Sequence, residues 1–271
     1  MNVSVISETT KHDVGISQIS NAVADYVCDV VIPHLKEEAN QGRPVSSLAD
    51  PEIEYYILSG YPIKNGYVGG TQIEDNQIDD FYIYVNKMNR MVTGFRGIDK
   101  DIVKILYKIP FYLILSNQDR NGDAFYTPED KSISIVLDRM FTGKNKINKS
   151  HVSSLIAHEL RHALDDLLSG GKAFSGDEDK LNKASAIGDD KRFDQYLKLA
   201  SEANARFAQA AKDLIDYVNS KGDKVNIADF KDFMKDVVST YELLSTTKKK
   251  QYKRFMGRAY KLFNELKNEN L

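Results

Sequence analysis

The first regular hydrophobic pattern in this chain begins at Ile16. Ile16, Ile19, Val23, Val27, Val30 and Val31 recur every three or four positions, which predicts a helix that Pro33 ends or kinks. Residues 1–14 read as a flexible or docked leader, and residues 40–52, with Gly42, Pro44 and Pro51, as a connection. Residues 53–98 are rich in Tyr, Ile and Val, and within them 53–58 and 81–85 predict strands. A short helix is expected over 101–109 on Ile102, Ile105, Leu106 and Ile109, stopped by Pro110. The continuous apolar run 111–115 has the length of a buried strand. Turn chemistry follows over 117–122, and then 124–126 and 132–137 predict two more strands. Ser132, Ile133, Ser134 and Ile135 alternate, so one face of that last strand should be wet and the other packed.

From Ser150 onward the pattern is helical. Ser150 is placed to cap a helix that turns Val152, Leu155, Ile156, Leu160, Ala163, Leu164 and Leu167 toward a core, and Gly170 and Gly171 end it. A polar loop runs to about residue 187. Asp189 or Asp190 is then placed to cap a long helix reaching about residue 218, with the stripe Phe193, Leu197, Ala200, Ala203, Phe207, Ala211 and Leu214. Beyond Gly222, Phe230, Met234, Val237, Tyr241 and Leu244 recur at helical spacing, as do Tyr252, Phe255, Tyr260 and Phe263 more loosely. These two patterns predict a helical hairpin that docks on the core or serves a partner. The expected class is α+β, with an N-terminal α/β elaboration over 1–98, a core over 99–222 and the hairpin over 223–271.

Composition narrows the function. With 42% hydrophobic and 28% charged residues among 271, the chain can bury a core. Its 37 basic and 39 acidic side chains lack the basic excess of a dedicated nucleic-acid binder. The run Lys248-Lys249-Lys250 is therefore read as a solvated face, and no nucleic-acid partner is expected. One cysteine, Cys28, excludes an internal disulfide and a cysteine-based zinc finger. It lies in an apolar helical pattern, as a buried structural thiol would. No run approaches the ~18–20 apolar residues of a membrane span, and residues 1–11 lack the apolar stretch of a signal peptide. The expectation is a cytoplasmic or virion-associated protein with no membrane contact.

Chemistry concentrates at His158-Glu159-Leu160-Arg161-His162, the HExxH pattern, inside the 150–169 helix. Residues four apart lie one above the other on a helix, so both imidazoles can reach one metal ion. Glu159 is rotated by ~100° from His158, at ~3.6 residues per turn. It can therefore take a proton from a zinc-polarised water without being a ligand. A zinc site needs a third protein ligand. No cysteine is near, and His12, His34 and His151 are poorly placed, so a carboxylate is expected. Glu202, forty positions after His162, is the leading candidate, because its neighbours Leu199 and Ala205 suggest a closely packed helix face. An i,i+4 surface pair with Arg206 is the other reading of Glu202. Asp166, Asp177, Glu178 and Asp179 compete for the ligand position.

Asp165 and Asp166 are candidates to orient His162 or to hold the following loop, since a metal-bound imidazole usually donates its second N–H to a carboxylate. Plain helix-surface acidity explains them equally well. Tyr196, about two turns before Glu202, is placed to donate to a developing oxyanion, or simply to pack.

The stretch from His158 to Asp166 resembles the active helix of the zincin metallopeptidases, gluzincin-like type. It looks most like the anthrax lethal-factor group, where HExxH is also followed by a small residue, an aliphatic one and paired aspartates. Residues 201–208, from Ser201 through Glu202 and Phe207 to Ala208, are similar to the ligand helix of ImmA/IrrE-type peptidases. The resemblance covers about 99–218. It implies a zincin-like core, namely a small mixed sheet, the HExxH helix and a second helix carrying a glutamate ligand. It also implies that an edge strand before the active helix receives the substrate as an extra strand, and 132–137 falls in that position. Relatives of such small decorated zincins occur in bacterial toxins and phage genomes. The expected function is zinc-dependent hydrolysis of a protein or peptide, with Glu159 as base, His158, His162 and Glu202 as metal ligands and Zn2+ as cofactor. A structural or interaction protein, such as a phage virion component that keeps the fold as scaffold, is the alternative.

Overall fold

The computed structural model describes residues 8–33, 54–57, 63–64, 67–68, 81–86, 109, 111–115, 124–129, 131–136, 148–177, 180, 182–183, 186, 195, 199–238 and 249–269. The architecture is α+β. Helix α1 spans Glu8–Tyr26 and runs on through a π-helical turn, Val27–Val31. It starts well before Ile16, so residues 8–14 are helix and not a leader, and Asp13 within them is buried. Ile16, Ile19, Val23 and Val27 are buried as their spacing predicts. Cys28, in the π turn, is only half-buried, and burial pushes its thiol up to about 11. That keeps it protonated and unreactive at neutral pH.

Among the described residues seven strands follow: β1 (Glu54–Ile57), β2 (Ile63–Lys64), β3 (Tyr67–Val68), β4 (Phe81–Asn86), β5 (Phe111–Leu115), β6 (Ala124–Thr127) and β7 (Ser132–Val136). β2 and β3 form a separate small hairpin. The other five make one mixed sheet in the order β1-β4-β5-β7-β6. Only β5 and β7 run parallel, pairing Phe111 with Ile133 and Ile114 with Val136. β4 pairs antiparallel with β5, so strands on both sides of residue 98 share this sheet.

The order corrects the expected edge. β7 lies inside the sheet, and β6, antiparallel to it with Tyr126 opposite Ile133, is the edge on that side among the described residues, with β1 at the other end. β7 has no wet face either: Ser132, Ile133, Ser134 and Ile135 are all buried. Parallel pairing, as between β7 and β5, commonly goes with cover on both faces of a sheet. Serine is small enough to fit there, so the alternation signals size and not exposure.

Helix α2 spans Lys149–Ser169 and packs against β6, β7 and α1. Its N-cap is Asn148, whose side chain accepts from the His151 N–H at 3.2 Å; Ser150 lies inside the first turn. Gly170 ends it at φ 65°, the left-handed conformation that glycine adopts without penalty. Helix α3 spans Ala200–Lys221. It does not continue from 189 as one rod, because Leu199 is extended (φ −61°, ψ 139°) and starts a new helix. Asp189, Asp190, Phe193 and Leu197 lie outside the described residues, as do the 117–122 turn and the expected 101–109 helix except for its last residue, Ile109, which is buried.

Helices α4 (Ile227–Val238) and α5 (Lys249–Glu269) form the C-terminal pair. Phe230, Met234, Phe255, Leu262, Phe263 and Leu266 are buried in one cluster with Phe207, Ala211, Leu214 and Val218 of α3. The pair therefore docks on the core through α3. Polar contacts tie α1 to α2 and α3: Ser153 donates to Asn21, Asn21 donates to Asp216 at 3.0 Å, and Ser154 donates to Asp213 at 2.6 Å. The fully buried Lys212 meets Asp216 at 3.0 Å and Asp213 at 3.3 Å, which compensates its charge. No described helix is long and apolar enough to cross a membrane.

Candidate metal centre

The site forms where the middle of α2 faces the first turn of α3. His158 and His162, four apart, present Nε2 atoms 3.2 Å from one another. Glu202 brings Oε2 to 3.5 Å from each of them. Glu202 is buried, with 1% of its surface exposed, and both histidine side chains are nearly so. These spacings decide between two readings. Good N–H···O hydrogen bonds run at ~2.7–3.2 Å, so 3.5 Å is long for an imidazole holding a carboxylate. A tetrahedral ion with bonds of ~2.0–2.1 Å instead spaces its ligand atoms ~3.3–3.4 Å apart. The triangle of 3.2, 3.5 and 3.5 Å has that size. Two imidazoles and one carboxylate are also a suitable donor set for a divalent ion. His158, His162 and Glu202 are thus close enough to bind one, and no other group of three or more His, Cys, Asp or Glu among the described residues is so placed.

The competing acids lie elsewhere. Asp166 accepts from the Tyr126 hydroxyl at 3.0 Å, and Asp177 accepts from the Ser201 hydroxyl at 3.0 Å. Glu178, Asp179 and the oxyanion candidate Tyr196 lie outside the described residues. Glu202 does pair with Arg206 four positions on, Oε1 to Nε at 2.7 Å, but inside the protein and not at the surface, and its Oε2 faces the histidines. Glu202 also stands in the first turn of α3, where the free backbone N–H groups favour negative charge.

No protein-family model matches this sequence. No curated protein or solved structure matches it either. What the site does must be argued from its own residues.

Glu159 is buried beside the two histidines, and its Oε2 accepts from the Tyr126 backbone N–H at 2.7 Å. Burial pushes its carboxyl above the usual range, opposed by His158, His162 and the Tyr126 bond. Asp165 and Asp166 do not reach His162, whose Nδ1 is buried with no hydrogen-bond partner among the described residues. Asp165 instead holds Arg161 at 2.7 Å and accepts from Asn204 at 3.1 Å, which fastens α2 to α3. Asn204 accepts in turn from Arg258 of α5 at 3.3 Å, and that guanidinium lies 3.7 Å above the Phe207 ring. Asp13 of α1 faces the same charges. Burial pushes its carboxyl up from 3.8 to about 6, against the pull of Arg258 and Arg161.

Sequence reasoning missed Tyr126, Phe174, Asn204, Arg258 and Asp13. Tyr126 appeared only as part of a strand. Phe174, in the loop after α2, has its ring 5.5 Å from His162 and 6.1 Å from Tyr126. Nothing in its neighbourhood in sequence signals that contact. Asn204 and Arg258 gave no usable signal, since each is one of many polar residues on its helix.

Proposed function

We propose that this chain is a zinc-dependent peptidase of the HExxH type, built on a zincin-like core. The observation that carries the reading is the convergence of the His158 and His162 Nε2 atoms with Glu202 Oε2 at 3.2–3.5 Å, with Glu159 beside them on the same helix. His158, His162 and Glu202 would hold the ion, and two imidazoles with one carboxylate suit zinc. Zinc, when bound, polarises a water and a substrate carbonyl.

The rest is done by protein side chains and backbone. Glu159 Oε2 accepts from the Tyr126 N–H, and Oε1, which that bond does not use, is assigned to take the water proton. A burial-raised carboxyl is a stronger base than an exposed one, nearer the neutral pH where a general base works best. Glu159 then passes that proton to the amine nitrogen as the C–N bond breaks and a C–O bond to the former water forms. The peptide is placed along the outer edge of β6, beside the Tyr126 N–H from which Glu159 already accepts. Glu202 gives Oε1 to Arg206 and keeps Oε2 toward the histidines.

Zinc titration beside peptide-library cleavage tests this. Glu159→Gln should bind zinc at full stoichiometry yet lose ~10²–10⁴ in turnover. Glu202→Gln should lose metal affinity first. Cleavage by Glu159→Gln at the wild-type rate would refute the assignment of the base. Zinc binding by wild type without cleavage of any protein or peptide would favour the scaffold reading.

A further inference from the structure

One residue of the edge strand touches α2 at two places. The backbone N–H of Tyr126 donates to Glu159 Oε2 at 2.7 Å, and its phenol donates to Asp166 Oδ2 at 3.0 Å. Glu159 and Asp166 are seven positions apart, two helical turns on the same face, ~10.5 Å along the axis. An extended tyrosine with a hydrogen bond at each end spans that distance. Asp166 is buried, and burial together with that carboxylate pushes the phenol well above its ordinary range, so it stays a donor. The Phe174 ring closes the side of the pair, lying between Tyr126 and His162.

β6 needs such a fastening. It is four residues long and pairs with β7 on one side only, among the described residues. A short edge strand held by one ladder frays readily. If β6 drifts, the N–H on Glu159 drifts with it, and the carboxylate loses the bond that fixes its direction.

We propose that Tyr126 is the positioning residue for Glu159, and that Asp166 acts on Glu159 through the Tyr126 phenol and not on the metal-binding histidines. This rests on reading Glu159 as the base. The clasp sets the carboxylate direction from two sides: the backbone bond holds Oε2, and the phenol bond holds the strand that supplies it. Asp166 thereby has a role in the reaction without touching substrate, metal or water.

The test uses Tyr126→Phe, which keeps the ring, and Asp166→Asn, which keeps the shape. Three quantities are read on the full chain: the zinc dissociation constant, kcat and KM per zinc-loaded site, and hydrogen exchange at the residue 126 amide. The clasp predicts zinc affinity within about twofold of wild type in both variants. It predicts kcat lower by about 10–100-fold with KM little changed, since misplacing a reacting group by ~1 Å costs up to ~10² in rate. It predicts amide exchange at 126 faster by about tenfold or more, because opening of β6 becomes easier. The double variant should be no slower than the slower single one, since both remove one bond. Wild-type exchange at residue 126 in Tyr126→Phe would overturn the proposal. So would an Asp166→Asn protein that loses zinc affinity but turns over normally once loaded. Should the wild type cleave no peptide, the peptidase reading fails by itself, and amide exchange with zinc affinity still decides the clasp. Should Asp166→Asn not fold, Tyr126→Phe alone decides it.

Discussion

Replacing Asp13 by Asn should change how stability depends on pH, with a predictable sign. The carboxyl is buried, with 3% of its surface exposed, and titrates at about 6 in the folded chain against 3.8 as the ordinary value. Burial, the larger cause, outweighs the attraction of Arg258 and Arg161. The folded state therefore holds this proton more tightly than the unfolded state. The stability it contributes is complete below about pH 4 and is lost as pH rises through about 6. A shift of about two units corresponds to about 3 kcal/mol, at 1.36 kcal/mol per unit. Between pH 4 and pH 7, Asp13→Asn should gain that amount relative to wild type. Urea unfolding at a series of pH values, with a chelator to remove metal, measures it. The chain has no tryptophan, so far-UV circular dichroism of the helices is the signal. Parallel stability curves for the two proteins would show that Asp13 titrates at its ordinary value. A variant that loses ground as pH rises would show that Asp13 works as an ionised partner of the two arginines, and the reasoning would be wrong.

Arg206→Gln leaves Oε1 of the buried Glu202 without its cation, which should lower metal-free stability by about 1–3 kcal/mol, judged from chelator-treated melts. Saturating zinc should restore much of that loss, because an ion at Oε2 neutralises the same carboxylate; equal losses with and without zinc would refute the link. Phe263→Ala, by contrast, opens a cavity where α3, α4 and α5 meet, 4.9 Å from the Phe230 ring. It should cost about 3–5 kcal/mol in chelator and in zinc alike, measured by urea unfolding.

Local pattern carried most of the elements. α2 was legible because its apolar residues, its glycine stop and its length agree. The strands at 111–115 and 124–127 were legible as short apolar runs. What failed was arrangement. Ser132 to Ile135 alternate like a strand with one wet face, yet both faces of β7 are buried, since serine is small enough to be covered. The capping residue was displaced from Ser150 to Asn148; both polar residues, two positions apart, suit the role by type and only the backbone conformation chooses. Residues 8–14 carry no apolar stripe of their own. They are helical because α1 packs on α2 and α3, and a polar residue such as Asp13 is buried there by its neighbours' geometry.

The candidate metal centre shows the same division at finer scale. His158 and His162 could be read from one helix turn, because four-residue spacing fixes their relation without any tertiary information. Glu202 needed a guess about which helix lies opposite, and small neighbours such as Ala205 were enough to make it. Tyr126 could not be found that way. Its two bonds cross 33 and 40 positions from a strand to a helix, and one of them uses a backbone N–H, which every non-proline residue has. Side-chain identity gives no warning of a role played by the main chain. The groups that bind a metal are chemically rare and so visible in sequence. The groups that aim a base can be ordinary backbone, and only the placement of β6 against α2 brings this one into view.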